Sequence, residues 1–296
     1  MNLQSSLPIP AQNSPLVDFW NEVLAPKLIK YRHILVKGSA RHSAAVLSSL
    51  GVRQGDRVLD VGCGFGDTAV EFSDMVGPSG DVLGVDCCQA FIDYSWHYAE
   101  HLHASPVRFA CADVEQGLSD TGFDFAFARF GTMFFANPVA GLRSIRNALR
   151  PDGQFAHIVW RNREDNPWLN EPGKVVKAIL PPLGEDAQTC GPGPFSMANP
   201  DVTGAQMRAA GFADVSFKRI DGKILVGRTI EEAIAFQLAI GPAGEAFREA
   251  GEIAQARRDE VIAALTDLFS HVDTDDDGLW MDSSSWLITA RNPNET

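Results

Sequence analysis

Residues 58–69 read Val58-Leu59-Asp60-Val61-Gly62-Cys63-Gly64-Phe65-Gly66-Asp67-Thr68-Ala69. An apolar run closing in an acid, then three glycines at alternate positions and a helix-like segment, predicts a buried parallel strand that turns sharply into a helix. In doubly wound α/β folds the crevice beyond the carboxyl ends of the strands receives a nucleotide-like ligand, and glycines let the backbone approach it without a Cβ in the way.

Dinucleotide enzymes place G-x-G-x-x-G at this turn, so that a helix N-terminus meets a pyrophosphate. Here the spacing is G-x-G-x-G, through Gly62, Gly64 and Gly66, and Asp67 occupies the position of the expected third glycine. On charge alone, Asp67 would repel a pyrophosphate and Asp60 suits a cationic group. A ligand with an adenosine, a carboxylate and an ammonium but no phosphate fits, and S-adenosylmethionine is such a ligand. The stretch VLDVGCGFGDTA resembles the first motif of class I S-adenosylmethionine-dependent methyltransferases, in the small-molecule branch similar to ubiquinone/menaquinone C-methyltransferases. The resemblance covers roughly residues 50–220.

Further strands follow in the order such a fold requires. Residues 81–86 form an apolar strand ending in Asp86, whose carboxylate offers two acceptors to two ribose hydroxyls; a dehydrogenase would share that feature. Residues 107–111 form the third strand and run into Asp113 and Val114. By the resemblance, Asp113 accepts from the adenine amino group and the Val114 N–H meets the ring, although an acid at a strand end also serves as a helix cap. Strand four, residues 123–128, leads into Arg129, which either holds a substrate carboxylate or phosphate in a bidentate contact or pairs with a neighbouring acid. The Asn/Asp-Pro-Pro-aromatic signature of amino-directed nucleic-acid methyltransferases is absent there. Residues 154–160 form strand five, with His157 read as a core histidine. The cofactor set implied by the resemblance is Asp60, Gly62, Cys63, Gly64, Gly66, Asp86, Cys87, Asp113, Val114 and Arg129.

The expected fold is α/β, a Rossmann-like doubly wound, mostly parallel seven-stranded sheet with an antiparallel edge strand. Residues 1–50 form an N-terminal helical cap after a loose leader over 1–15, and 51–160 the cofactor-binding core. Residues 161–200 read as a lid insertion, and 201–296 as the remainder of the core, with a helical insertion over 229–269. By the resemblance the cap and the lid shape the acceptor site. Tyr31, Arg129, Trp168 and Phe195 are its candidate walls, with the plain alternative that at least one aromatic merely anchors the lid. His33, on the cap, is the candidate general base, against the plainer reading of a surface helix histidine.

The formal net charge of -13 excludes broad nucleic-acid or anionic-membrane binding, which needs a basic face. No stretch approaches the ~18 continuous apolar residues of a membrane span, so a cytoplasmic protein is expected. The five cysteines include no C-x-x-C pair and read as reduced, inert thiols. Asp273, Asp275, Asp277 and Gly278 follow the start of a calcium loop, but Ser284 stands where the bidentate Glu belongs, so a solvated acidic loop and no metal are expected. The resemblance implies methyl transfer from S-adenosylmethionine to a small-molecule acceptor, leaving S-adenosylhomocysteine, and leaves a homodimer open. A non-catalytic cofactor-binding scaffold or sensor, a non-methylating use of the cofactor and, less favoured, a nicotinamide oxidoreductase stand as alternatives.

Overall fold

The computed structural model describes residues 15–181 and 192–294; the leader over 1–14 and the middle of the expected lid, 182–191, lie outside them. The chain starts with α1 (Pro15–Phe19), a π-helical turn (Trp20–Leu24), α2 (Ala25–Lys30) and α3 (Arg32–Ala44). The core then alternates: β1 (Arg57–Val61), α4 (Asp67–Val76), β2 (Asp81–Asp86), α5 (Gln89–His101), β3 (Val107–Cys111), β4 (Phe123–Arg129), α6 (Pro138–Ala148) and β5 (Leu149–Trp160). Next come α7 (Pro167–Ile179), α8 (Pro200–Ala209) and β6 (Ala213–Gly227). Four helices follow, α9 (Ile230–Ala239), α10 (Gly241–Glu249), α11 (Gly251–Ala256) and α12 (Arg258–Phe269), before the hairpin of β7 (Asp273–Asp275) and β8 (Gly278–Arg291).

The strands lie in the order β3-β2-β1-β4-β5-β8-β6, with β7 paired to β8. β1 to β5 pair in parallel, whereas β8 runs antiparallel to both β5 and β6, so the antiparallel element is the next-to-last strand and β6 is the edge. The order reverses between β2 and β4 on either side of β1, which makes the tip of β1 the switch point where ligands bind.

The pleat sorts the apolar runs into two layers, because successive side chains point to opposite faces. Val58, Val82, Phe125 and Phe127 pack with Phe72, Val76 and Ile92 of α4 and α5. Their neighbours Leu59, Leu83 and Ala126 pack instead with Leu142 and Ile145 of α6 and with the α7 to α12 layer.

α3 is fastened to the antiparallel edge by close approach and by polar contacts. A Cβ on Gly38 would lie 2.6 Å from Ile224 Cγ1, so only glycine seats the helix this close to β6. The His42 ring lies between the Ser285 hydroxyl at 2.8 Å and the Ser283 hydroxyl at 2.9 Å. Lys37 pairs with Asp277, and Arg41 with Asp275 at 3.7 Å. The acidic stretch is an exposed hairpin tip, as expected of a solvated loop, with Asp275 and Asp277 pairing with α3.

Two stretches of turn-like composition give way to the sheet. The β8 ladder runs through Asp221-Gly222, opposite Ser284 and Ser283. Arg150 to Gly153 is drawn into β5. Among the described residues no helix is long and apolar enough to cross a membrane.

Candidate active site

At the switch point Gly62, Gly64 and Gly66 all have left-handed φ values, 64°, 53° and 80°. The loop is pinned to β2, since the N–H groups of Gly62 and Cys63 donate to the Val85 carbonyl at 2.8 and 3.0 Å. A Cβ on Gly62 would come 3.1 Å from Gly131 Cα and one on Gly66 2.9 Å from Ser95 Cβ, whereas one on Gly64 would meet nothing within 4 Å. Gly62 and Gly66 thus serve packing against β4 and α5, and Gly64 faces open space.

Asp86 ties that loop to the tip of β2. Its Oδ2 accepts from the Gly64 N–H and its Oδ1 from the Cys88 N–H, both at 3.0 Å. Burial raises its pKa to about 6 against the pull of those two donors. Asp60 is fully buried; the Thr68 hydroxyl donates to its Oδ2 at 2.6 Å, and its Oδ1 has no hydrogen-bond partner. Burial lifts the Asp60 pKa to about 7. An orphaned carboxylate oxygen beneath an open glycine loop fits a ligand bearing a cation, because such an oxygen is costly to bury until it is paired.

Asp113 caps the short turn after β3, its Oδ1 accepting from the Glu115 N–H at 3.0 Å. Val114 is buried in the core. Glu115, which sequence reasoning missed, accepts from the N–H groups of Ala136 and Asn137 at 2.8 and 2.5 Å and so joins the turn after β3 to the start of α6.

Arg129 takes the second of its two readings. It forms an ion pair with Asp67, donates to the Ser43 hydroxyl at 3.0 Å, and both charged side chains are under a tenth exposed. Burial works against the Arg129 charge, yet the adjacent Asp67 holds its pKa above the ordinary value. This corrects the sequence argument about Asp67: its charge is neutralised within the protein, so the case against a pyrophosphate rests on glycine spacing and not on repulsion. Phe130 follows at φ 59°, a strained value for a bulky residue. Its ring stacks on Trp160 at 3.8 Å, and Gly131 beside it is the residue against which Gly62 closes.

A cover lies across these tips. The Asn21 side-chain amide donates to the Cys87 carbonyl at 3.3 Å, its oxygen accepts from the Gln89 N–H at 3.2 Å, and Trp20 meets Phe134 edge-on at 4.9 Å. Arg32 stands over the rings of Phe65, Tyr94 and Tyr98, 4.7 to 5.7 Å from their centroids. Trp20, Asn21 and Arg32 were not singled out from sequence, because only the fold brings them to the loop. Cys63 and Cys87 are free thiols, raised in pKa first by burial and then by Asp86.

Of the acceptor-side candidates, Tyr31, His33 and Trp168 each contact α9, Trp168 through its carbonyl, which accepts from the Gln237 side chain at 2.9 Å. His33 Nε2 lies 2.8 Å from Glu232 Oε1 and 3.1 Å from Arg228 Nη2, bridging α3 to α9. Tyr31 packs edge-on against Phe236 at 5.4 Å. Trp168 is buried, against Trp160 at 5.3 Å, and Phe195 carries Arg163 over its ring at 5.2 Å. His157 is also buried, with Nδ1 2.9 Å from the Thr132 hydroxyl, and burial lowers its pKa to about 3. Among the described residues no cluster of potential metal ligands occurs.

A doubly wound sheet, a left-handed glycine turn at its switch point and acids near three adjacent strand tips define an α/β protein with a ligand crevice at the end of β1. Residues 58–153 match the family profile described as a methyltransferase domain. The chain is 24% identical to a demethylmenaquinone methyltransferase of Staphylococcus carnosus over 188 residues, 60% of this chain and 77% of that one. It is 29% identical to the enzyme of the same name from Staphylococcus aureus over 109 residues, 36% of this chain and 44% of the other, so that match spans less than half of that relative. Its fold is shared with phosphoethanolamine N-methyltransferase 2 of Haemonchus contortus, solved in complex with S-adenosyl-L-methionine, at a TM-score of 0.58 and 15% identity, covering 97% of this chain and 62% of that one. Over residues 58–153 the chain thus resembles a methyltransferase domain, and the relatives it matches are quinone methyltransferases.

Proposed function

We propose that this protein transfers a methyl group from S-adenosylmethionine to a small-molecule acceptor, of which a quinol, the type of acceptor implied by the relatives' names, is the first to try. The observation that carries the reading is the buried Asp60, with one carboxylate oxygen unpartnered, under a glycine loop whose Gly64 faces open space. Gly62, Cys63, Gly64 and Gly66 would hold the methionine part of the cofactor and Asp60 its ammonium. Asp86 would take the ribose hydroxyls on the lone pairs left after Gly64 and Cys88, and Asp113 with Val114 the adenine.

When bound, the cofactor supplies a methyl already activated by its sulfonium charge. What the chain adds is placement and exclusion of water. Asp86 fixes the loop at Gly64, the Arg129–Asp67 pair fixes the start of α4 against β4, and Trp20 and Asn21 close the cover over the strand tips. No base is assigned, since His33 has its Nε2 engaged by Glu232 and Arg228 in a contact between α3 and the start of α9.

The test is incubation of the purified protein with methyl-labelled S-adenosylmethionine and a panel of quinols, phenols and amines. Label on one acceptor class with equal release of S-adenosylhomocysteine is the expected result. Tight binding of the cofactor with no label moved to any acceptor would favour a scaffold or sensor, and an unlabelled rearranged product a non-methylating enzyme.

A further inference from the structure

Away from the glycine loop, the helices inserted between β6 and β7 meet the end of α2 around a cleft of about 770 Å³, within the roughly 300–1,000 Å³ range of small-molecule sites. Its wall is mixed: Leu238 of α9, Phe247 of α10, Ile262 of α12 and Tyr31 form an apolar strip, and Gln255 and Thr266 add polar surface beside it. Two exposed cations border it, Lys30 and Arg258. Elsewhere on this acidic chain neighbouring arginines are engaged: Arg257 pairs with Glu260 at 2.7 Å and Arg228 with Glu232 at 3.4 Å. Arg258 has no ion pair among the described residues, and Lys30 makes only a ring contact with Tyr31 at 5.1 Å. Glu231 is the carboxylate on the lining. It is occupied at the start of α9 by its own N–H and the Thr229 hydroxyl, which hold its pKa below the ordinary value.

An apolar strip bordered by two cations without ion-pair partners among the described residues offers a local complement to one kind of small molecule, although the chain as a whole is acidic. We propose that this cleft binds an amphiphile with an apolar body and a single acidic group, the body lying along Leu238, Phe247 and Ile262 and the acid meeting Lys30 or Arg258. The inference does not depend on methyl transfer.

The probe is dodecanoate, kept below its micelle threshold and titrated by calorimetry into the full chain, with dodecyltrimethylammonium as the opposite-charge control. Lys30→Glu and Arg258→Glu test the cations, and Lys218→Glu, on the exposed face of β6, serves as a remote charge control. Dodecanoate should bind more tightly than the ammonium probe, and at least one of the two cleft reversals should weaken it by about tenfold, with Lys218→Glu unchanged. Absence of binding, equal binding of both probes, or indifference to both cleft reversals overturns the proposal. S-adenosylhomocysteine affinity, measured on the same preparations, should be unmoved by the cleft variants; its absence in the parent protein would count against the methyltransferase reading and leave the dodecanoate result to stand alone.

Discussion

Among single residues, Asp60 shows most clearly the conflict between folding and binding. Burial holds its pKa at about 7 against an ordinary 3.8, so the folded chain keeps a proton that the unfolded chain releases. The sign follows: between those values the native state binds more protons, and the contribution to stability is full below the ordinary pKa and is lost as pH rises toward 7. Asp60→Asn removes that dependence. Relative to the parent, the variant should therefore gain stability as pH rises from about 4 to about 7, by at most about 1.4 kcal/mol per pH unit. Urea unfolding at a series of pH values reads this directly, and parallel stability curves for the two proteins would contradict it. The position of Asp60 was legible in the sequence as the acid closing an apolar run. Its orphaned oxygen was not, because that depends on which neighbours the fold leaves without a donor.

Between elements, the Arg129–Asp67 pair joins the tip of β4 to the start of α4, and Ser43 extends the junction to the end of α3. Removing one partner strands the other charge where water cannot reach it, at a cost of about 3–5 kcal/mol, while neutralising both is far milder. Arg129→Met alone should therefore lower the unfolding free energy by that amount, and adding Asp67→Asn should restore most of it. A double variant as unstable as the single one would show that the pair is not the junction. Sequence periodicity revealed the strands and helices that meet here, since β1, β2 and β4 are apolar runs buried on both faces. It could not reveal the pairing of residues 62 positions apart, and so it read Asp67 as a bare charge. The continuity of β6 is hidden from sequence for the same kind of reason: Asp221 and Gly222 have turn composition, but the ladder to β8 running through both and the Ser284 hydroxyl bonded to Asp221 at 2.6 Å outweigh local preference.

Across the whole molecule, the residues proposed for the cofactor, Gly62, Gly64, Gly66, Asp86 and Asp113, lie together at the strand tips, and their positions were legible in the order of strands and in the family resemblance. The candidates for the acceptor, Tyr31, His33, Trp168 and Phe195, sit on the N-terminal helices, α7 and the loop before α8, whose placement no local pattern encodes; three of them meet at α9, through Phe236, Glu232 and Gln237. The central claim is that the switch point is shaped for an adenosyl sulfonium and not for a dinucleotide. Calorimetric titration of the parent protein and of Asp86→Ala with S-adenosylhomocysteine and NADH tests it most directly. The account predicts binding of S-adenosylhomocysteine and none of NADH, with affinity falling roughly 10- to 100-fold in the variant, as loss of hydrogen bonds to a charged acceptor requires. Binding of NADH, or a folded protein that ignores S-adenosylhomocysteine, would contradict it.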